Sequence, residues 1–265
     1  MAQQMGRQSL QFENPPWIIS SGCIAGTKEG EGPIGHEIDL IGEDDNFGCD
    51  IWEEAESTLQ KEALTLALGK AGLRADELRY LFAGDLLGQS MATSFGLQPF
   101  EIPLFGLYGA CSTAGEALAL AAMTVAAGYA DVVGAVTSSH FASAEKQFRF
   151  PLEYANQRPL CTTWTVTGAG AFLLGRESGK KQNYSDNRKR TDAGSPMIKR
   201  AEQKIADDTE QKVCGVRITG ITTGKIVDYG VRDSMNMGAA MAPAAADTIC
   251  QNLKDFGRRP EDYDH

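Results

Sequence analysis

The stretch LFGLYGACSTAGEALALAAMTVAAGYA, residues 104–130, reads as a strand, a sharp turn and a helix, with Cys111 at the bend. An apolar run at 104–108 leads into GACST at 109–113, and an alanine-rich helix of about fifteen residues follows. A cysteine placed there meets the free N–H groups and the positive dipole end of a helix, which stabilise a thiolate. A nucleophile elbow is built in this way, so Cys111 is the candidate around which the other segments are read.

On the N-terminal side, residues 52–71 carry Leu59, Ala63, Leu66 and Ala67 at helical spacing. Glu53, Glu54 and Glu56 suit the start of that helix, and Gly72 suits its stop. A strand is expected at 80–83, ending at Gly84-Asp85, and a helix or loop begins at 88–94. On the C-terminal side, DVVGAVTS at 131–138 is a buried strand with small side chains on one face. It runs into Ser138-Ser139-His140 and then a polar and aromatic stretch at 145–150. A loop at 151–159, a β-rich segment at 162–167 and a strand from Gly168 complete this half. Residues 1–16 read as a loose arm, 17–20 as a short strand, and 27–35 as a polar loop. Five glycines fall between 22 and 35, but without the strand–GxGxxG–helix order that a dinucleotide cofactor requires. His36 in that loop reads as solvated or structural, and no cofactor is expected.

The 265 residues are 42% hydrophobic and 23% charged, ordinary for a globular chain. A net charge of −10 argues against sequence-independent nucleic-acid binding, which needs cations to neutralise phosphates. Residues 175–212 depart from this balance: ten Lys/Arg against seven Asp/Glu give +3, so the rest carries −13. The segment 176–212 has too few apolar residues to offset its ordering entropy, and reads as a charged, flexible insertion. Alternation resumes at 213–227, so the insertion is expected to lengthen a hairpin turn between antiparallel strands. Six cysteines stand at 23, 49, 111, 161, 214 and 250 without C-x-x-C or zinc spacing. Free thiols in a reducing compartment are expected, and no metal site. No secretory leader is read at the start, and the longest uncharged apolar window, 117–130, is too short to span a bilayer. The expected location is cytoplasmic or peripheral to a membrane.

The end of the chain repeats an earlier part. A helix is expected to enter through Pro243 near its first turn and to stop at Gly257. Residues 257–265 then align without a gap on 72–80, at an offset of 185: glycine, basic turn, acidic pair, large apolar residue. After Tyr80 comes a strand, whereas after His265 the sequence ends, so a duplicated α/β architecture with a truncated second copy is expected.

The motifs GPIGH (32–36), AGDLL (83–87), GACST (109–113), TSSH (137–140), AEKQFRFPLEY (144–154), TVTGAGA (165–171) and MGAAMAPAAADTI (237–249) together resemble the thiolase and ketoacyl synthase superfamily, and within it a sporulation branch. The resemblance implies a layered α/β fold of two α/β/α halves. The first half is complete here within 1–175, followed by the insertion and then by 213–265 leading into the second. It implies binding of dipicolinic acid or a similar small dicarboxylate, and a part in moving it into the developing spore. Other membrane proteins of the same transport complex, at the spore inner membrane, would be companions, and a homodimer is possible. A flat dianion needs an apolar slot with a few fixed donors. The residues available for that role are Cys111 with its helix N-terminus, Ser138, Ser139, His140 and Arg149. The alternative is a thiolase-type acyltransferase in which Cys111 is the catalytic nucleophile. Among His36, His140 and His265 none stands where a base for that chemistry is required. A non-catalytic scaffold is the third reading.

Overall fold

The computed structural model describes residues 3–148, 165–178, 215–233 and 236–264. The strands are β1 (Gln3–Met5), β2 (Ser9–Gln11), β3 (Trp17–Ala25), β4 (Leu40–Ile41), β5 (Tyr80–Gly84), β6 (Leu104–Leu107), β7 (Val132–Ser139), β8 (Gly168–Gly175), β9 (Val216–Arg217) and β10 (Gly220–Thr222). The helices are α1 (Thr27–Gly30), α2 (Trp52–Ala71), α3 (Met91–Leu97), α4 (Thr113–Ala126), α5 (Phe141–Phe148) and α6 (Met237–Phe256). The class is α/β, as expected. Two compact units divide the chain: Pro16–Arg217, and Met1–Pro15 with Ile218–His265. The sequence reading drew its boundaries at 175 and 212, whereas the chain passes between these units at 15–16 and 217–218.

The larger unit is built on a mixed sheet of order β4-β3-β8-β7-β5-β6, with β9 added on β3. β5 runs parallel to β6 and β7, while β8 is antiparallel to both β7 and β3. Side chains alternate across the sheet with the period of two that a strand imposes. On one face Leu81, Ala83, Val136, Ala169, Ala171 and Leu173 join Leu59, Ala63, Leu66 and Ala67 of α2 in a single buried cluster. That cluster includes no residue of α4, which packs on β7 and β5 through Thr113, Ala117, Ala121, Ala122 and Val125. The two helices therefore take opposite faces, giving an α/β/α sandwich. The buried side chains of α4 are mostly alanine, whereas α2 buries Leu59, Leu64, Leu66 and Leu68 beside its alanines.

Several local expectations change. The segment 17–20 is the start of a nine-residue strand, because Ser21, Gly22 and Cys23 continue the ladder with β8 through to Ala25. The residues after the insertion do not close a hairpin on β8: β9 pairs with β3, and β10 pairs with β2. Residues 165–167 carry no strand. Within the insertion, residues 179–212 lie outside the described residues, as does the loop at 151–159.

In the smaller unit the supposed loose arm is structured. β2 pairs antiparallel with both β1 and β10. Asp255 on α6 fastens the β1–β2 turn by accepting from the N–H groups of Arg7 and Gln8 and from the Ser9 hydroxyl, each at 2.9 Å. A helix-borne partner of this kind is not visible in the composition of residues 1–16. Asn236 caps α6, accepting from the N–H of Ala239, and Pro243 lies inside the helix rather than in its first turn.

The repeat is visible in the backbone. α2 begins at 52 and α6 at 237, 185 residues on, and each is 20 residues long. Each ends on a glycine in the left-handed region, Gly72 at φ +66° and Gly257 at φ +61°, where a side chain would be strained. A short 3-10 turn follows each, Ala75–Glu77 and Pro260–Asp262. Both turns close by the same back-bond: Arg74 N–H to Glu77 at 2.7 Å, and Arg259 N–H to Asp262 at 2.8 Å.

Candidate functional site

β5, β6 and β7 run parallel, so their C-terminal ends reach one edge of the sheet, with Gly84 in register with Leu107 and Thr137. Ligands of open α/β sheets are received at such an edge, where the loops leave the strands. Asp85, Cys111 and His140 follow those strand ends, and Ser138 and Ser139 are the last two residues of β7.

Cys111 sits in a 3-10 turn, Ala110–Ser112, immediately before α4, and is exposed. The bend itself is at Ala110, whose φ of +48° places a non-glycine residue in the left-handed region. Side chains of the turn hold it: Thr113 Oγ1 donates to the carbonyl of Ala110 and accepts from Gly109 N–H, and Ser112 Oγ donates to the carbonyl of Gly109. Beneath the bend, Gly84 leaves no room for a side chain, since a Cβ there would collide with the Leu107 carbonyl and approach Thr113 Cγ2. The elbow expected from GACST is therefore present.

Ser138 is placed differently from the expectation of a free donor. Its hydroxyl donates to Glu56 Oε1 at 2.9 Å and accepts from Gln60 Nε2 at 2.9 Å. Glu56 also accepts from Ser143 Oγ at 2.6 Å. Gln60 Nε2 lies within hydrogen-bond distance of the Gly84 carbonyl and of Thr93 Oγ1 as well, and Thr93 in turn donates to Asp85 at 2.5 Å. Asp85 further accepts from the N–H groups of Leu87 and Thr93, both at 2.7 Å. The result is a buried polar network that joins the ends of β5 and β7 to α2, α3 and α5. Glu56 is fully buried, and that burial pushes its carboxyl up to about 7 despite the two serine donors, with Asp85 and Glu53 adding to the rise.

Ser139 Oγ donates to the carbonyl of Val166 at 2.6 Å. His140 is fully buried against Trp52 and Phe141. Its Nδ1 accepts from Ala142 N–H, so Nε2 carries the hydrogen and donates to the Asp45 carbonyl at 2.7 Å. Both ring nitrogens are thus committed to the fold, which corrects the expectation of His140 as a ligand-binding side chain. Arg149 lies outside the described residues. The structure brings Cys111, Ser138 and Ser139 to one sheet edge.

Sequence reading missed Glu56, Gln60, Thr93 and Ser143. It took Glu56 only as one of three acids suited to the start of the helix, whereas the side chain is buried. The available signal was spacing: Glu56 and Gln60 are four apart and interleave with Leu59 and Ala63, which puts a polar pair on an apolar helix face. Among the described residues no group of three His, Cys, Asp or Glu could hold a metal, and Cys23, Cys49, Cys111 and Cys250 are free. Chemically the edge carries two hydroxyls, a helix N-terminus and an exposed thiol, with a buried acid behind Ser138.

The family model described as Stage V sporulation protein AD matches residues 6–265. Stage V sporulation protein AD of Bacillus subtilis (strain 168) is 38% identical over 259 residues, which is 98% of this chain and 66% of that protein. The chain thus spans 66% of the length of this curated relative. Among solved structures, 3-oxoacyl-[acyl-carrier-protein] synthase III of Aquifex aeolicus is similar at a TM-score of 0.42 and 20% identity, over 61% of this chain and 54% of the other. The corresponding synthase III of Xanthomonas oryzae pv. oryzae gives a TM-score of 0.42 and 15% identity, over 63% and 57%. Likeness at that level says nothing about activity.

Proposed function

Because the chain belongs to the stage V sporulation protein AD family, we propose that it binds dipicolinic acid, or a similar small dicarboxylate, and serves its movement into the developing spore. The observation that carries this reading is the 38% identity over 98% of the chain to a sporulation protein. The sheet edge supports it with the helix N-terminus at Cys111, whose N–H groups suit carboxylate oxygens, beside the hydroxyls of Ser138 and Ser139, whose own hydrogens go to Glu56 and to the Val166 carbonyl. Arg149 is retained in the proposal as the cation. Among the described residues no helix is long and apolar enough to cross a membrane. The proposed setting is peripheral, beside membrane proteins of the same complex at the spore inner membrane. In this reading the protein is not an enzyme, and Cys111 forms the floor of the anion site.

Titration of the protein with dipicolinate, beside Cys111→Ala and Arg149→Ala, tests the reading. A saturable signal that weakens at least tenfold in the variants is expected, and no saturable signal in the parent protein overturns it. One observation favours a second reading: the exposed Cys111 on its bend before α4 has the placement of an acyl-accepting nucleophile. Its base would have to come from elsewhere than His140. Incubation with acyl-CoA followed by mass spectrometry decides, since a thioester on Cys111 would establish the acyltransferase.

A further inference from the structure

The polar network behind Ser138 is short of hydrogens. Gln60 Nε2 has two hydrogens and three acceptors within reach, namely the Gly84 carbonyl, Thr93 Oγ1 and Ser138 Oγ. Gln60 Oε1 is buried with no donor at all. Glu56 takes the hydroxyl hydrogens of both Ser138 and Ser143. Ser138, which is only partly buried, is the member of this network at the end of β7. In this arrangement it gives its one hydrogen inward to Glu56 and accepts from Gln60. A serine hydroxyl has one hydrogen and two lone pairs. What it has left for a ligand is a lone pair, which repels a carboxylate.

We propose that Glu56 is a proton-coupled positioning residue of the anion site, which takes up one proton as the ligand binds and thereby turns the Ser138 hydroxyl outward. The inference rests on the reading of this sheet edge as the dicarboxylate site. The exchange balances. A proton from solvent adds to Glu56, whose new O–H donates to Ser138 Oγ. Ser138 then accepts from Glu56 and Gln60 and directs its own hydrogen to a ligand carboxylate oxygen. No covalent bond to carbon changes, and the added proton offsets one charge of the incoming anion.

The surroundings favour a proton at this position. The carboxylates of Asp85 and Glu53 both oppose ionisation of Glu56, and burial does so more strongly than either. From α5, Ser143 faces Glu56 as a donor, and the ring nitrogens of His140 at the head of that helix bond Ala142 N–H and the Asp45 carbonyl rather than Glu56. From α3, Thr93 has its hydrogen committed to Asp85. A carboxylate ligand is itself fully ionised between pH 6 and 8, so it does not contribute to the proton count.

Calorimetric titration with dipicolinate, in buffers of different ionisation enthalpy, measures that count directly. The expected result for the full chain is uptake approaching one proton at pH 8 and affinity about tenfold weaker at pH 8 than at pH 6. Glu56→Gln holds an N–H permanently toward Ser138. It should bind at pH 8 as the parent does at pH 6, with no proton uptake. Ser138→Ala should lose the pH dependence as well as affinity. Saturable binding without proton uptake, or the same pH dependence in Glu56→Gln, overturns the proposal and leaves the dicarboxylate reading standing. No binding at either pH overturns both.

Discussion

Burial holds the Glu56 carboxyl up at about 7, against an ordinary glutamate near 4.5. The folded protein therefore keeps a proton that the unfolded chain has already released. The stabilising contribution is full below about 4.5 and is lost as the pH rises through about 7. One pKa unit corresponds to about 1.4 kcal/mol, so the ionised side chain costs on the order of 3 kcal/mol above neutrality. Glu62, buried on the same helix and also raised to about 7, acts in the same direction. Melting temperature should accordingly fall between pH 5 and pH 8. Glu56→Gln should flatten that slope, matching the parent near pH 5 and exceeding it at pH 8. Parallel slopes in parent and variant would show that Glu56 does not charge within the fold. Cys111 and Cys23 are both exposed, but the Cys23 thiol is pushed up by desolvation and by Asp39, so with iodoacetamide at neutral pH Cys111 should be alkylated before Cys23.

At the scale of elements, the turn from β6 into α4 depends on close contact with β5. A side chain at Gly84 would run into the Leu107 carbonyl and Thr113, so Gly84→Val should cost several kcal/mol, about the range of severe core disruptions. Denaturant unfolding measures it, and a loss under about 1 kcal/mol would mean that the contact relaxes. In the smaller unit, Asp255→Ala removes the acceptor of Arg7 N–H, Gln8 N–H and Ser9 Oγ. Hydrogen exchange at Arg7 and Gln8 should then accelerate while β5 and β7 stay protected. The elements were legible where the pattern was local. α2 matches its expected bounds because apolar spacing, acidic start and glycine stop agree. β2, and with it the β1 strand that pairs on it, was not legible, because β2 is held between β1 and partners on β10 and α6 that lie more than two hundred residues away.

For the molecule as a whole, α2 and α6 make an internal control. They share length, glycine cap and following turn, but α2 buries ten residues, whereas none of the described side chains of α6 is buried. Helix stability in proteins comes mainly from tertiary packing. Amides of α6 should therefore exchange much faster than those of α2, and equal protection would show that α6 is covered in solution. The repeat itself was legible in nine residues of sequence, and the backbone extends it to two whole helices with their caps.

The sequence by itself determined the α/β class, the elbow at Cys111, both long helices with their stops, and the motifs that carry the family. Each of these is set by local spacing or by residue chemistry at a turn. Only the tertiary structure decided which way the polar groups point. Ser138 and His140 look alike in sequence as polar residues at a strand end. Yet His140 is spent on the Asp45 carbonyl and Ala142 N–H, while Ser138 is wired to Glu56. The partners that settle this lie 82 and 95 residues away from Ser138 and His140 respectively. Hydrogen-bond direction across such distances is fixed by the meeting of β7 with α2 and the 44–46 turn, and no local pattern encodes it.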